Sequence, residues 1–163
     1  MHREIAEAAQ RTPQLIDQLL EVWERSVRAT HQFLSDGEIA EIKTYVPQAL
    51  WEVPHLIAVW REDGTPAGFL GIDGQKLEML FLAPEERGRG LGRRLVQYGV
   101  ERFGIREVTV NEQNPQARGF YERMGFCVCQ RWELDGQDRP ILKIRLCRWM
   151  IWQRAGAATA PAL

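Results

Sequence analysis

Only three cysteines occur in 163 residues, Cys127, Cys129 and Cys147, and no two form a C-x-x-C pair. That odd, unpaired set excludes a disulfide framework and offers no thiolate metal motif. No histidine stands near them, so all three read as structural and no metal site is expected. Long apolar runs are missing, and nothing like a signal peptide precedes the cysteines. A reduced, cytoplasmic protein with no membrane partner is therefore expected. Charge bias is absent too. With 21 basic and 22 acidic side chains the formal net charge is −1, which gives no electrostatic reason to expect nucleic acid. No internal repeat occurs, and the one compositional bias is the Ala- and Pro-rich end from Ala155 to Leu163, expected to be frayed. The composition is otherwise that of an ordinary globular protein, at a length that fits one domain over residues 1–152 with a tail over 153–163.

Two motifs carry chemistry. Arg87-Gly88-Arg89-Gly90-Leu91-Gly92 follows an apolar run, Leu77 to Leu82, and precedes a helix-like segment, Arg93 to Phe103. A Gly-rich turn between strand and helix aims several backbone N–H groups at one point, at the positive end of a helix dipole. Glycines there remove the Cβ atoms that would hold an anion away. The turn thus reads as a diphosphate cradle, and the arginines Arg87, Arg89, Arg93 and Arg94 suit a phosphorylated ligand better than a duplex. The dinucleotide fingerprint G-x-G-x-x-G fails because Arg93 stands where its third glycine belongs. The ATP P-loop fails because no Lys-Ser or Lys-Thr pair follows. R-x-x-G-x-G is satisfied, through Arg87, Gly90 and Gly92. Downstream, residues 114–126 satisfy N-x-x-A-x-x-x-Y-x-x-x-G-F. Asn114 is placed to cap a helix starting at Pro115, and Gly125 to end it. On that helix Asn114, Ala117 and Tyr121 share a face, while Phe120 and Met124 project from another.

With both motifs in this order the chain resembles the GNAT superfamily of acyl-CoA-dependent N-acyltransferases. Through Trp23 to Leu34 and Val110 to Asn114 it is similar to small bacterial acetyltransferases of the YjaB type. The resemblance implies an N-acetyltransferase that uses acetyl-CoA and works by direct attack of an amine on the thioester in a ternary complex. It implies that the loop, Arg87, Gly88, Arg89, Gly90, Leu91, Gly92 and Arg93, holds the pyrophosphate of coenzyme A. The strand before the loop would present Leu80, Phe81 and Leu82 to pantetheine, with the Leu80 N–H toward the thioester oxygen. Asn114 would contact the pantetheine arm or the pyrophosphate, with Asn111, Ala117 and Phe120 in the same cofactor-binding set. Tyr121 stands where the family keeps the acid that protonates the departing sulfur, and a phenol near pKa ~10 suits that task.

The rest of the chain fits the same frame. A strand at Arg3 to Glu7 precedes a helix from Pro13 to about Arg28, capped by Thr12, with Leu15, Leu19, Val22, Trp23 and Val27 on its apolar face. Ser35 and Glu38 form a capping box for a second short helix that Pro47 would end or kink. His55 to Trp60, Ala67 to Ile72 and Lys76 to Leu82 read as strands joined by hairpin turns at Asp63-Gly64 and Asp73-Gly74. Then come the loop, a helix to Phe103, a strand Glu107 to Asn111, the Asn114 helix, and strands Phe126 to Leu134 and Ile141 to Trp149. The order β-α-α-β-β-β-α-β-α-β-β predicts an α/β fold of mixed α+β sheet type, and it is the GNAT order.

Two residues compete for the general base. Glu78 lies two residues before Leu80, so period-2 alternation predicts a shared face, and a charge inside an apolar run is an energetic oddity that function would explain. His31 has an unperturbed pKa near ~6.5 and lies between the first two helices, which line the acceptor pocket in the family. Trp23, His31 and Phe33 are the expected acceptor-side residues, with Trp51 as a further wall. The acceptor itself is an amine of a small molecule or peptide. The rival function is a coenzyme A binding or sensing module without transfer. Monomer and homodimer both stay open, the latter through Arg145 to Trp152 with Trp149 and Trp152.

Overall fold

A computed structural model describes residues 3–111, 114–132 and 143–148, the side chains of 130–132 and 143–148 excepted. Two units, residues 1–104 and 105–163, emerge from it and are described in turn.

In the first unit Thr12 starts the longest helix. α1 spans Pro13–Thr30, with the Thr12 hydroxyl accepting from the Leu15 N–H at 3.1 Å and Pro13 in the first turn, where a missing N–H removes no helical bond. Leu15, Leu19, Val22, Trp23 and Val27 are all buried along one side. Five such side chains contribute on the order of 10 kcal/mol at about 1.5–3 kcal/mol each. The cap adds about 1, so packing rather than capping holds this helix. Ser35 opens α2, Asp36–Lys43, by the expected reciprocal bonds with Glu38, both 3.1 Å. Pro47 departs from expectation. It neither ends nor kinks α2, but sits in the first turn of a further helix, α3, Val46–Glu52. The chain has already turned at Thr44 and Tyr45, so the proline falls where a helix tolerates it. The observed order therefore contains one more helix than the sequence suggests.

Four strands form an antiparallel meander: β1 Glu4–Glu7, β2 His55–Trp60, β3 Pro66–Asp73 and β4 Lys76–Leu82. The Asp63-Gly64 and Asp73-Gly74 turns connect β2 to β3 and β3 to β4 as read. β3 is buried at every position but the last, the mark of a strand covered on both faces. Leu56 and Phe69 join the core of α1, α2 and α3, with Met79 and Phe81 packed against it. Alternation sends Ile57, Val59, Leu70 and Ile72 to the opposite face, and all four are buried. A 3₁₀ turn, Pro84–Glu86, and the glycine loop lead into α4, Leu91–Phe103, which packs against β3 and β4 through buried Leu91, Leu95, Val96 and Val100. Gly104 closes α4 in the left-handed conformation, its N–H on the Val100 carbonyl at 3.1 Å.

In the second unit β7, Lys143–Arg148, lies between β5, Glu107–Asn111, and β6, Phe126–Trp132, antiparallel to both. α5, Pro115–Arg123, packs on β5 and β6. Cys129 is disulfide-bonded, so the expectation of reduced cysteines does not hold for it. Expected strand ends at Leu134, Ile141 and Trp149, the Trp149–Trp152 dimer contact and the tail lie outside the described residues.

Candidate active site

The loop after β4 has the backbone of an anion cradle. Gly88 and Gly90 take φ of +76° and +79°, and an added Cβ at either would meet nothing within 4 Å. The space above both glycines is open. A side chain there would be strained and would occupy the approach an anion needs. The helix begins at Leu91 rather than Arg93, which puts Gly92 in its first turn. α1, α2 and α5 each start with a side-chain cap, from Thr12, Ser35 and Asn114. α4 has no such cap and no acidic residue in its first turn. Its N-terminal N–H groups and dipole thus meet no side-chain anion of that turn. Arg87, Arg89, Arg93 and Arg94 are exposed around it. Arg94 donates to the Arg3 carbonyl at 3.0 Å, a structural task.

Beneath the loop lies a support that sequence reasoning missed. Glu86, immediately before Arg87, is 3% exposed, and its Oε1 accepts from Arg3 Nη2 and Arg61 Nε, each at 3.2 Å. Arg61 also reaches Glu85 at 3.0 Å, and Arg25 of α1 reaches Glu85 at 2.6 Å. Burial works to raise the Glu86 carboxyl, but the Arg3 and Arg61 hydrogen bonds and charges outweigh it, and its pKa falls below the ordinary glutamate value. The turn that launches the glycine loop is thereby tied to the residue before β1, to the residue after β2 and to α1. Only the adjacency of Glu86 to Arg87 was visible in the sequence; the partners are 83 and 25 residues away.

His31 follows α1 as its C-cap, its N–H on the Val27 carbonyl at 2.8 Å. Its ring lies 5.3 Å from the Phe33 ring and 6.5 Å from that of Phe81, which in turn lies 5.6 Å from Phe69. Burial, and then the Arg87 charge, lower its pKa below 6.5. The first unit thus gathers His31, Phe33, Phe81 on β4 and the charge of Arg87.

Glu78 is placed otherwise. In the β3–β4 ladder Gly71 opposes Met79 and Ile72 opposes Leu77, so Glu78 is the extra residue of a bulge. The alternation expected to set it beside Leu80 is broken there. Its carboxylate is 38% exposed, 3.5 Å from Lys76 Nζ. Trp23, expected at the acceptor side, is 5% exposed within the core of α1, α2 and α3, while Trp51 is exposed on α3. Leu80 and Leu82 are half-buried, paired with Leu70 and Gly68.

In the second unit α5 is built as the motif predicts. The Asn114 side-chain Oδ1 accepts from the Ala117 N–H at 3.2 Å, Pro115 follows, and Gly125 takes φ of +95° beyond the C-cap. Ala117 and Phe120 are half-buried. Tyr121 is 5% exposed, its ring 5.0 Å from Phe120 and 5.5 Å from Phe126 in edge-on contacts. Burial raises its pKa well above that of a free phenol. Asn111 ends β5, half-buried. Among the described residues no group of three or more His, Cys, Asp or Glu is placed to hold a metal ion, and no helix is long and apolar enough to cross a membrane.

The glycine loop leading into α4 and the Asn-capped helix carrying a buried tyrosine are thus built as the two motifs of residues 87–92 and 114–126 suggest. The acetyltransferase (GNAT) domain family matches residues 28–135, and the chain belongs to it: it is an N-acetyltransferase with the mixed α/β fold of that family. Two peptidyl-lysine N-acetyltransferases named YjaB, from Salmonella typhimurium and Escherichia coli, are each 41% identical over 130 residues. The match covers 78% of this chain and 89% and 88% of theirs. The solution structure of apo YjaB from Escherichia coli superposes with a TM-score of 0.81 at 36% identity, over 90% of this chain and 97% of that one. The PaiA N-acetyltransferase of Thermoplasma acidophilum, solved with coenzyme A, shares the fold with a TM-score of 0.68 at 23% identity, over 89% and 98%.

Proposed function

We propose that this chain transfers an acetyl group from acetyl-CoA to the side-chain amine of lysines in peptides or proteins. The lysine acceptor rests on one observation, the 41% identity with two peptidyl-lysine N-acetyltransferases across most of this chain and most of theirs. The match over residues 28–135, which runs through both units, supports reading residues 1–152 as one acetyltransferase domain. The family's use of acetyl-CoA and the open cradle at Gly88 and Gly90 support the donor. Acetyl-CoA, when bound, supplies the acetyl group activated as a thioester.

Most of the candidate residues then have a role that their surroundings suit. Arg87, Arg89, Arg93 and the backbone of Gly88, Gly90, Leu91 and Gly92 would hold the pyrophosphate by charge-assisted hydrogen bonds. The backbone of Leu80, Phe81 and Leu82 would hold the pantetheine arm, with Asn111, Asn114, Ala117 and Phe120 assigned to the same ligand. His31 is the base. It is kept neutral by burial and Arg87, so it can take a proton from the attacking amine. Phe33 beside it borders the acceptor. Tyr121 is the acid, since its raised pKa keeps the phenolic proton in place through neutral pH until sulfur departs. Glu78, exposed on its bulge next to Lys76, and Trp23, enclosed in the core, receive no step. Cytoplasmic action fits the bacterial relatives.

Mass spectrometry of an N-terminally blocked peptide carrying one internal lysine, incubated with acetyl-CoA and enzyme, tests the acceptor. Addition of one acetyl group to the lysine is expected. In Tyr121→Phe the transfer should fall by roughly 10²–10⁴ with acetyl-CoA binding unchanged. No transfer to this peptide, with transfer to the α-amine of an unblocked peptide lacking lysine, would overturn the lysine assignment, and donor binding without transfer to either would leave a coenzyme A binding module.

A further inference from the structure

We propose that Thr30 is a positioning residue that holds the His31 imidazole protonated at Nδ1, leaving the lone pair on Nε2 to accept the amine proton. This deepens the reading of His31 as base and rests on it. Thr30 is the last residue of α1, and its hydroxyl bonds back to the Ser26 carbonyl oxygen at 2.8 Å. A carbonyl only accepts and a hydroxyl has one hydrogen, so that hydrogen is committed. The same Thr30 oxygen lies 2.7 Å from His31 Nδ1. The hydrogen between those two atoms must come from the ring. A neutral imidazole carries one N–H, so Nε2 is left bare. The opposite tautomer would set two lone pairs against each other at that separation, or force the threonine off Ser26.

The fold holds both partners in place. The backbone bond of His31 to Val27 anchors the residue, and Phe33 and Phe81 flank the ring. During transfer the lone pair of the amine forms the bond to the acetyl carbon while its N–H proton passes to Nε2 and the N–H pair stays on nitrogen; the carbon–sulfur bond breaks, and the sulfur leaves with its electron pair and takes the Tyr121 proton. No other reactant is needed. Only the position of Thr30 directly before the histidine was legible in the sequence, which does not disclose the bond to Ser26.

Long-range ¹H–¹⁵N correlation of histidine-labelled protein reads the tautomer directly, with His31→Gln identifying the His31 signals among the three histidines. Wild type and Thr30→Ser should both show a protonated Nδ1 and a bare Nε2. Thr30→Val should lose that signature, and kcat on the blocked lysine peptide should fall roughly 2- to 10-fold, the range of one net hydrogen bond, with KM for acetyl-CoA unchanged. Recovery in Thr30→Ser excludes mere loss of helix packing. A protonated Nε2 in wild type would overturn the proposal without any variant, as would an unchanged signature in Thr30→Val. Full activity in His31→Gln would instead overturn the base assignment, an outcome separate from the tautomer result.

Discussion

Replacing Gly90 by alanine separates the glycine loop as a ligand cradle from the loop as a turn. At φ +79° an alanine is strained by about 1–2 kcal/mol. Its lower freedom in the unfolded chain returns about 0.4–1 kcal/mol. No atom lies within 4 Å of the new Cβ, so no clash adds to the loss. The net destabilisation is then about 0–1.5 kcal/mol, a fall in Tm of no more than about 6 °C for a chain of this size. Binding should suffer more. The Cβ occupies the open approach, and losing one or more hydrogen bonds to a charged group costs about 1.5–3 kcal/mol, or roughly 10- to 150-fold in Kd for acetyl-CoA. Gly64 is the internal control: in the β2–β3 hairpin it has φ +84° and equally empty surroundings. Gly64→Ala should lose similar stability in urea melts, yet bind acetyl-CoA by calorimetry as wild type does. If both variants bind equally well, the loop is only a turn and the diphosphate assignment fails.

Three further outcomes follow from the same geometry. Glu86→Ala leaves Arg3 and Arg61 without their shared carboxylate; with the side chain of Glu86 4% and those of the arginines 11% and 22% exposed, the loss should be about 2–4 kcal/mol in urea unfolding, and an unchanged midpoint would refute the support role. Gly68→Ala puts a Cβ 2.8 Å from the Phe81 carbonyl oxygen and 2.5 Å from Leu82 Cδ2, so β4 must shift and stability should drop by about 1–3 kcal/mol, again read by urea melt. The pKa of His31 is lowered on folding, so the unfolded chain takes up the proton first, and stability falls as pH drops below about 6.5. His31→Gln should abolish that component, and the acid limb of kcat/KM should lie below pH 6.5 in wild type and vanish in the variant.

How much of this was legible in sequence follows the range of each interaction. Thr12, the Ser35–Glu38 box, Asn114–Pro115 and Gly125 each act within four residues, and each was found where the side-chain chemistry put it. Pro47 was misread because a proline marks both the end of one helix and the first turn of the next, and only the turn before it decides between them. The bulge at Glu78 was hidden for a different reason. An apolar run cannot disclose that its partner strand is one residue shorter across Gly71 and Ile72. The ion cluster around Glu86 joins residues from four places in the chain, and no local pattern encodes it.

The bulge also bears on the proposal of His31 rather than Glu78 as the base. A general base must come within hydrogen-bond reach of the proton it takes, directly or through one water, and is helped by holding one orientation. Glu78 interrupts the ladder, faces water and lies beside a lysine. His31 has its backbone tied to α1, its ring flanked by Phe33 and Phe81, and one ring nitrogen engaged by Thr30. Every contact that restrains this ring leaves Nε2 as its basic atom. The nearby Arg87 charge disfavours protonation before the amine arrives, and a diphosphate on Arg87 would relieve that effect. Donor binding would then raise the proton affinity of the base at the stage when it is needed, which requires the acid limb of kcat to lie at higher pH than that of kcat/KM.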